Sequence, residues 1–137
     1  MIPKHLLIAF NELGQQEIKG KAFNTRIGAY LQTVGLEAND EIPWCAAFVN
    51  WVFRQAGIFG TNSGWAKSYM SWGKECACEI GAVAVMNRGS NLAHGHVAFV
   101  LQENRDTIYT IGGNQSDRVS ITEVPKVKVV SYRKAIK

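Results

Sequence analysis

The chain has 137 residues, 47% of them hydrophobic, and its 15 Lys and Arg against 11 Asp and Glu give a formal charge of +4. That length and apolar share suit one compact domain, residues 1–137, with a core of its own; no Pro/Gly/Ser-rich linker divides it and no block repeats. The basic balance does not indicate nucleic acid, because Lys and Arg are interspersed with acidic residues and form no stripe interleaved with aromatics. Any anionic polymer is attracted by such a charge equally well. The N-terminal MIPKHLLIAFNELGQQE has no basic cluster before its apolar run and no small-residue cleavage site after it. The expectation is a chain made in the cytoplasm without a secretory signal, with no stretch near the roughly 20 apolar residues of a membrane span.

In chain order, the first predicted element is a helix from about Lys4 to Gln15, with Leu6, Leu7, Phe10 and Leu13 at helical spacing. Asn24 can cap a second helix, in which Ile27, Tyr30, Leu31 and Val34 form one face and Gly35 ends the run. Pro43 introduces CAAFVNWVFRQAG, apolar nearly all round and closed by Gly57, and a helix of that kind belongs in the middle of a protein. A shorter helix is predicted from Gly64 to Trp72. After Gly81 the period changes: AVAVM, HVAFVL, TIYTI, VSITEV and VVSYR are short, β-rich and separated by polar or glycine-containing turns. Helices followed by an antiparallel meander predict an α+β domain, with N-terminal helices packed on a C-terminal sheet of about five strands. HVAFV reads as a central strand, and the helix beginning at Cys45 as the element that covers it.

Cys45 falls in the first turn of that helix, where backbone N–H groups and the helix dipole favour a thiolate and can face an oxyanion. The same cysteine reads equally well as an inert core residue. A base has to come from His5, His94 or His96. His5, near the terminus, reads as an ordinary surface residue. His96 opens the strand HVAFV and shares a face with Ala98 and Val100, which makes it the proton acceptor of choice, with His94 in reserve. A third group would orient the ring. If the turn at Glu103–Asp106 forms a hairpin, His96 comes opposite Gly112 or Gly113. Asn114 then lies about one diagonal step away, roughly 7–8 Å between backbones. The two glycines leave room for a bulge that re-aims Asn114. The alternative is that GGNQSD is only a turn with a left-handed Asn.

The segments IPWCAAFVNW, SGWAKSYMSWG, GHVAFV and YTIGGNQSD, in this order, resemble the CHAP and NlpC-type cysteine peptidases, nearest to a small single-domain branch found in phage and bacterial wall-degrading proteins. The resemblance runs from about Ala22 to Arg133. It implies a papain-like fold and hydrolysis of amide bonds in peptidoglycan, with no metal or other cofactor. Carried over by position, the nucleophile is Cys45, the base His96 and the polar third member Asn114. Gly112 stands where CHAP domains commonly carry an acidic residue, and Trp44-Cys45-Ala46 where NlpC-type enzymes often have Asp-Cys-Ser. The implied partner is the peptide of peptidoglycan, met by a monomer acting in the periplasm or wall after lysis or export by another route. A phage lysis enzyme and an antibacterial effector both fit, and an effector would have a cognate immunity protein.

Two other readings stand beside this one. The same fold could serve as a catalytically silent wall-binding module. Alternatively, Cys76, Cys78, His94 and His96 supply four zinc-competent ligands for a zinc-stabilised interaction protein, although eight extended residues from Met86 back to Cys78 span about 26 Å at roughly 3.3 Å each. Of the four tryptophans, Trp51 and Trp72 read as packing residues. Trp44, beside the nucleophile, and Trp65, at the next helix start, are the candidates for substrate contact.

Overall fold

The computed structural model describes residues 2–18, 24–37, 43–88 and 91–136, without the side chains of residues 88 and 91–94. Three α-helices come first: α1 (Lys4–Phe10), α2 (Thr25–Thr33) and α3 (Cys45–Gln55). A 3-10 helix at Ala66–Ser71 leads into β1 (Lys74–Glu75), β2 (Val83–Arg88), β3 (Asn91–Glu103), β4 (Thr107–Gln115), β5 (Arg118–Pro125) and β6 (Val129–Lys134). The described strands form one antiparallel sheet in the order β1-β6-β2-β3-β4-β5. The α+β arrangement follows the sequence reading, and all five expected strands are present. The additional β1 is two charged residues paired with Arg133 and Lys134, too short to carry a periodic signal. Among the described residues no helix is long and apolar enough to cross a membrane.

Alternation along the strands sorts the core into two faces. Val83, Val85, Val97, Phe99 and Ile111 meet the buried residues of the three helices on one face. Ala84, Met86, Ala98, Val100 and Ile108 form a smaller cluster on the other, beside Cys76, Cys78 and Tyr132. Helix α3 packs on both β3 and β4 and buries Cys45, Ala46, Ala47, Phe48, Val49, Asn50, Val52 and Phe53, as expected of a helix apolar nearly all round.

Helix α2 starts as its sequence specifies, with Asn24 Oδ1 accepting from the backbone N–H groups of Arg26 at 2.8 Å and Ile27 at 3.3 Å. Gly35, at φ +77°, takes the left-handed conformation that ends it. Helix α1 departs from expectation. It stops at Phe10, Leu7 and Leu13 stay exposed, and the inward positions are Leu6, Ala9 and, in the turn that follows, Glu12. Tyr30 Oη donates to the buried Glu12 carboxylate at 2.6 Å and Arg26 Nε approaches it at 3.2 Å, so this charge is compensated inside. The segment Gly64–Trp72 is helical only over Ala66–Ser71, and Trp72 stacks on Phe53 with centroids 4.9 Å apart.

His5 is not an ordinary surface residue. Its ring lies 5.3 Å from that of Phe53 and 5.0 Å from that of Phe99, and Nε2 is 2.8 Å from the carbonyl oxygen of Gly81. Burial pushes its pKa below the ordinary histidine value, against the opposing pull of the Gly81 carbonyl. The folded protein therefore binds fewer protons at this site than the unfolded chain does. The resulting stability is full above the unfolded value of about 6.5 and is lost as pH falls through the folded one. Thermal melts should show His5→Gln with a shallower loss of Tm between pH 7 and pH 5 than the wild type, and parallel curves would contradict this.

Candidate active site

The candidate residues lie at the start of α3 and on β3 and β4, the two strands on which α3 packs. Pro43 and Trp44 precede the first helical residue, Cys45, which is 4% exposed. The N-cap residue Trp44 offers no side-chain oxygen to the first-turn N–H groups, unlike Asn24 at the start of α2. Its indole is instead fully buried, stacked on Tyr30 at 5.8 Å, with Nε1–H donating to Glu17 Oε2 at 3.1 Å. Trp44 is therefore a strut and not a cleft wall: a side chain with no accessible surface cannot touch a solute. Trp65 is 59% exposed and keeps its place as a candidate contact.

Helix α3 also carries a polar clamp that sequence reasoning passed over. Asn50 is 2% exposed; its Nδ2 donates to Ala46 O at 3.0 Å and Ser63 O at 3.1 Å, and its Oδ1 accepts from Asn62 N at 2.8 Å. The 61–63 loop is thereby fixed along the first two turns of α3, and Trp65 follows two residues later. An asparagine inside an otherwise apolar helix was the available signal, since a buried amide needs partners.

His96 is 9% exposed on β3, opposite Met86 of β2. The residue that meets its ring is Gln115: His96 Nε2 and Gln115 Oε1 are 2.9 Å apart. The amide's orientation follows from its other bonds. Gln115 Nε2 donates to Ser120 O at 2.7 Å, and Oε1 also accepts from Thr110 Oγ1 at 3.1 Å. With the NH2 group committed to a carbonyl, the oxygen faces the imidazole, so Nε2 carries the hydrogen and donates it. The other ring nitrogen, Nδ1, then holds the lone pair.

Asn114 was the expected ring partner, and the local backbone explains why its neighbour takes that position. The β4–β5 register shifts between Gly112 and Gln115, and Asn114 has φ +60°. Regular alternation would put Thr110, Gly112 and Asn114 on one face; the bulge interrupts it and turns Gln115 onto the face of Thr110. Ser116 and Asp117, at φ +57° and +59°, then close a two-residue hairpin loop between Gln115 and Arg118. The expected bulge is present, and what it re-aims is Gln115.

The adjacent glycines let both sides of the site approach β4. A Cβ on Gly113 would lie 2.7 Å from two atoms of the Trp44 ring and 2.8 Å from Phe48 Cβ, on the helix side. A Cβ on Gly112 would lie 2.8 Å from Ala98 Cβ and 3.3 Å from Gln115 Oε1, on the histidine side. Trp44 and Phe48 at the start of α3 and Gln115 are thus packed close to one short stretch of β4. Gly113→Ala should cost about 1–3 kcal/mol by overpacking against a fully buried indole. A denaturation midpoint unchanged from wild type would show that the helix start does not rest on β4.

The remaining candidates lie elsewhere. Cys76 and Cys78 are partly buried free thiols. Cys76 N donates to Tyr132 O of β6, so Cys76 continues the edge row of β1, three strand spacings from β3, and about 14 Å of sheet separates it from the strand of His96 at roughly 4.8 Å per strand. Burial pushes both thiols up, with the Glu79 carboxylate adding to the effect at Cys76. Among the described residues no three His, Cys, Asp or Glu side chains gather as a metal site. His94 lies on β3, but its side chain is outside the described residues.

The CHAP domain model matches residues 37–114, more than half of the chain, and takes in Cys45, His96 and Asn114. The chain belongs to the CHAP domain family. Two solved structures share the fold of this CHAP domain over 98% of its length. One is a lipoprotein-like protein of the NLP/P60 family from Staphylococcus aureus, with a TM-score of 0.62 and 17% identity. The other is the wild-type endolysin LysIME-EF1, with a TM-score of 0.62 and 11% identity. The chain spans 41% of the first protein and 65% of the second. The likeness is one of fold, and it makes this CHAP domain an α+β protein of the papain-like type. No curated protein matches the chain. Gln115 lies one residue beyond the matched segment.

Proposed function

We propose that this CHAP domain hydrolyses an amide bond in the peptide of peptidoglycan, with Cys45 as nucleophile, His96 as base and Gln115 holding the imidazole. The observation that carries the reading is the bond from His96 Nε2–H to Gln115 Oε1 at 2.9 Å. It fixes the tautomer in which Nδ1 can take a proton, on a strand packed against the helix that begins with the cysteine. Membership in the CHAP family and a fold shared with an NLP/P60 protein and an endolysin support the substrate class.

The chemistry follows from these roles. His96 Nδ1 accepts the thiol proton of Cys45, and the sulfur attacks the amide carbonyl to form a C–S bond. N–H groups of the first turn of α3 face the developing oxyanion. The tetrahedral intermediate collapses as His96 returns the proton to the leaving nitrogen, which departs as an amine and leaves a thioester on Cys45. Water, deprotonated by His96, then attacks that thioester; the carboxylic acid leaves and the thiol is restored. Action in the wall or periplasm, reached by lysis or through another export route, completes the proposal.

The test couples labelling to turnover. Purified sacculi incubated with the protein should release new primary amines, and limiting iodoacetamide should stop the release in proportion to alkylation of Cys45, ahead of Cys76 and Cys78. Amine release that survives full alkylation of Cys45, or that never occurs, contradicts the proposal.

A further inference from the structure

Strand β5 carries no residue of the proposed chemistry, yet one of its residues holds the group that meets the imidazole. Ser120 pairs with Gly112 of β4, and beyond that pair the register shifts by one residue, so that Gln115 and not Asn114 stands opposite Arg118. Across the shift Ser120 and Gln115 are bonded twice. Gln115 Nε2 donates to Ser120 O at 2.7 Å, and Ser120 Oγ donates to the backbone oxygen of Gln115 at 2.8 Å.

The two bonds have separate consequences. The first commits the amide nitrogen and leaves Oε1 for His96 Nε2, 2.9 Å away. The second ties the backbone of Gln115 to the β5 position that faces Gly112, on the other side of the bulge. Ser120 thus holds Gln115 by its main chain and by its carboxamide. Between those two points the side chain folds back along β4 over Gly112: a Cβ there would lie 3.3 Å from Oε1, which also accepts from Thr110 Oγ1 at 3.1 Å.

Without the shift, the pair Gly112–Ser120 would continue to Asn114–Arg118, and Asn114 would take the face of Thr110. One residue of register separates the two arrangements, and the hydroxyl of Ser120 bonds across the place where they part. We infer that Ser120 is a positioning residue that acts through Gln115: it clasps Gln115 across the bulge and so determines that this residue, and not Asn114, meets His96. The inference rests on the reading of the chain as a wall-peptide amidohydrolase in which Gln115 holds the imidazole. Its effect falls on the direction of the ring and not on substrate binding.

The experiment compares two substitutions in two backgrounds. Ser120→Ala removes the hydroxyl and leaves the carbonyl; Ser120→Thr keeps a hydroxyl on a residue that strands favour. Amine release from muropeptides is measured for the wild type, both variants, Gln115→Ala, and Ser120→Ala combined with Gln115→Ala. Ser120→Ala is expected to lose roughly 3- to 10-fold in kcat, the worth of one neutral hydrogen bond, with KM within about twofold of the wild type. Ser120→Thr should keep most of the rate. In the Gln115→Ala background, Ser120→Ala should change kcat by less than about twofold, because the group it positions is gone. A serine that only stabilised the fold would act equally in both backgrounds. Equal losses in the two backgrounds, or wild-type kcat in Ser120→Ala, overturn the inference.

A second readout needs no turnover. In the Cys45→Ala protein the buried His96 Nε2 proton, held by Gln115 Oε1, should give a slowly exchanging downfield resonance in the proton NMR spectrum. Adding Ser120→Ala should broaden or abolish it, and adding Ser120→Thr should not. A resonance that Ser120→Ala leaves unaltered, or that is absent from Cys45→Ala itself, also overturns the inference. If the wild type releases no amines, the amidohydrolase reading fails, and the NMR comparison alone decides whether Ser120 positions Gln115.

Discussion

Cys45→Ala is expected to lower the rate of amine release from sacculi by roughly 10⁴-fold or more, the scale on which loss of a nucleophile acts in acyl-transfer enzymes. The fold should persist. The sulfur is the only heavy atom removed, from a residue whose surroundings are set by Trp44, Ala46 and Phe48, all fully buried. The contribution of the remaining site is to bind and polarise, and without a nucleophile it leaves only weak residual catalysis. Cys45→Ser is the sharper variant, since the hydroxyl keeps the shape but is a far poorer nucleophile near neutral pH. Both variants should melt within a few degrees of the wild type and still co-sediment with sacculi. A Cys45→Ala protein with wild-type turnover would remove the thiol from the mechanism.

The second large effect is expected at Gln115. Its side chain makes three bonds at once, to His96, Thr110 and Ser120, so Gln115→Ala releases the imidazole and takes a partner from the half-buried Ser120 carbonyl, while Thr110 keeps its bond to Thr122 O. A loss of about 10- to 100-fold in kcat, the worth of one orienting hydrogen bond of about 1.5–3 kcal/mol, is expected with little change in KM. Gln115→Glu distinguishes orientation from simple packing. A carboxylate against Nε2–H favours the imidazolium, so the limb of the pH–rate profile that belongs to His96 should move to higher pH. Asn114 provides the comparison: it holds a left-handed φ of +60°, so Asn114→Gly should be tolerated in both rate and stability. If Asn114→Gly is the variant that loses 10-fold or more while Gln115→Ala turns over normally, the assignment of the third residue reverses.

The contrast between those two neighbours shows what the sequence could and could not reveal. The cap at Asn24, the stop at Gly35, the apolar helix from Cys45 and the five main strands were legible because each depends on residues within one turn or one alternation of each other. The places of Cys45 at a helix start and of His96 on an inner strand were legible for the same reason, although β3 begins at Asn91, five residues before the expected opening at His96. Gln115 was not, because its direction is set by a single bulged residue, and one residue in a strand reverses the face. Trp44 looked like a cleft wall because the acceptor that lets its indole be buried, Glu17, is 27 positions away. Glu12 gave no sign of being an inward position because its phenol partner, Tyr30, belongs to the next helix. His5 looked exposed until Phe53 and Phe99 arrived from α3 and β3. In each case the missing knowledge was a long-range partner for a polar atom, which local periodicity does not encode.

The measurement that bears most directly on the central claim is mass spectrometry of the fragments released from purified sacculi by the wild type and by Cys45→Ala. The account predicts wild-type products that have gained one water across an amide bond, each pair carrying a new amine and a new carboxylic acid, with none formed by the alanine variant. Products cut at a glycosidic bond, a wild-type digest identical to buffer alone, or the same amide products from Cys45→Ala would contradict it.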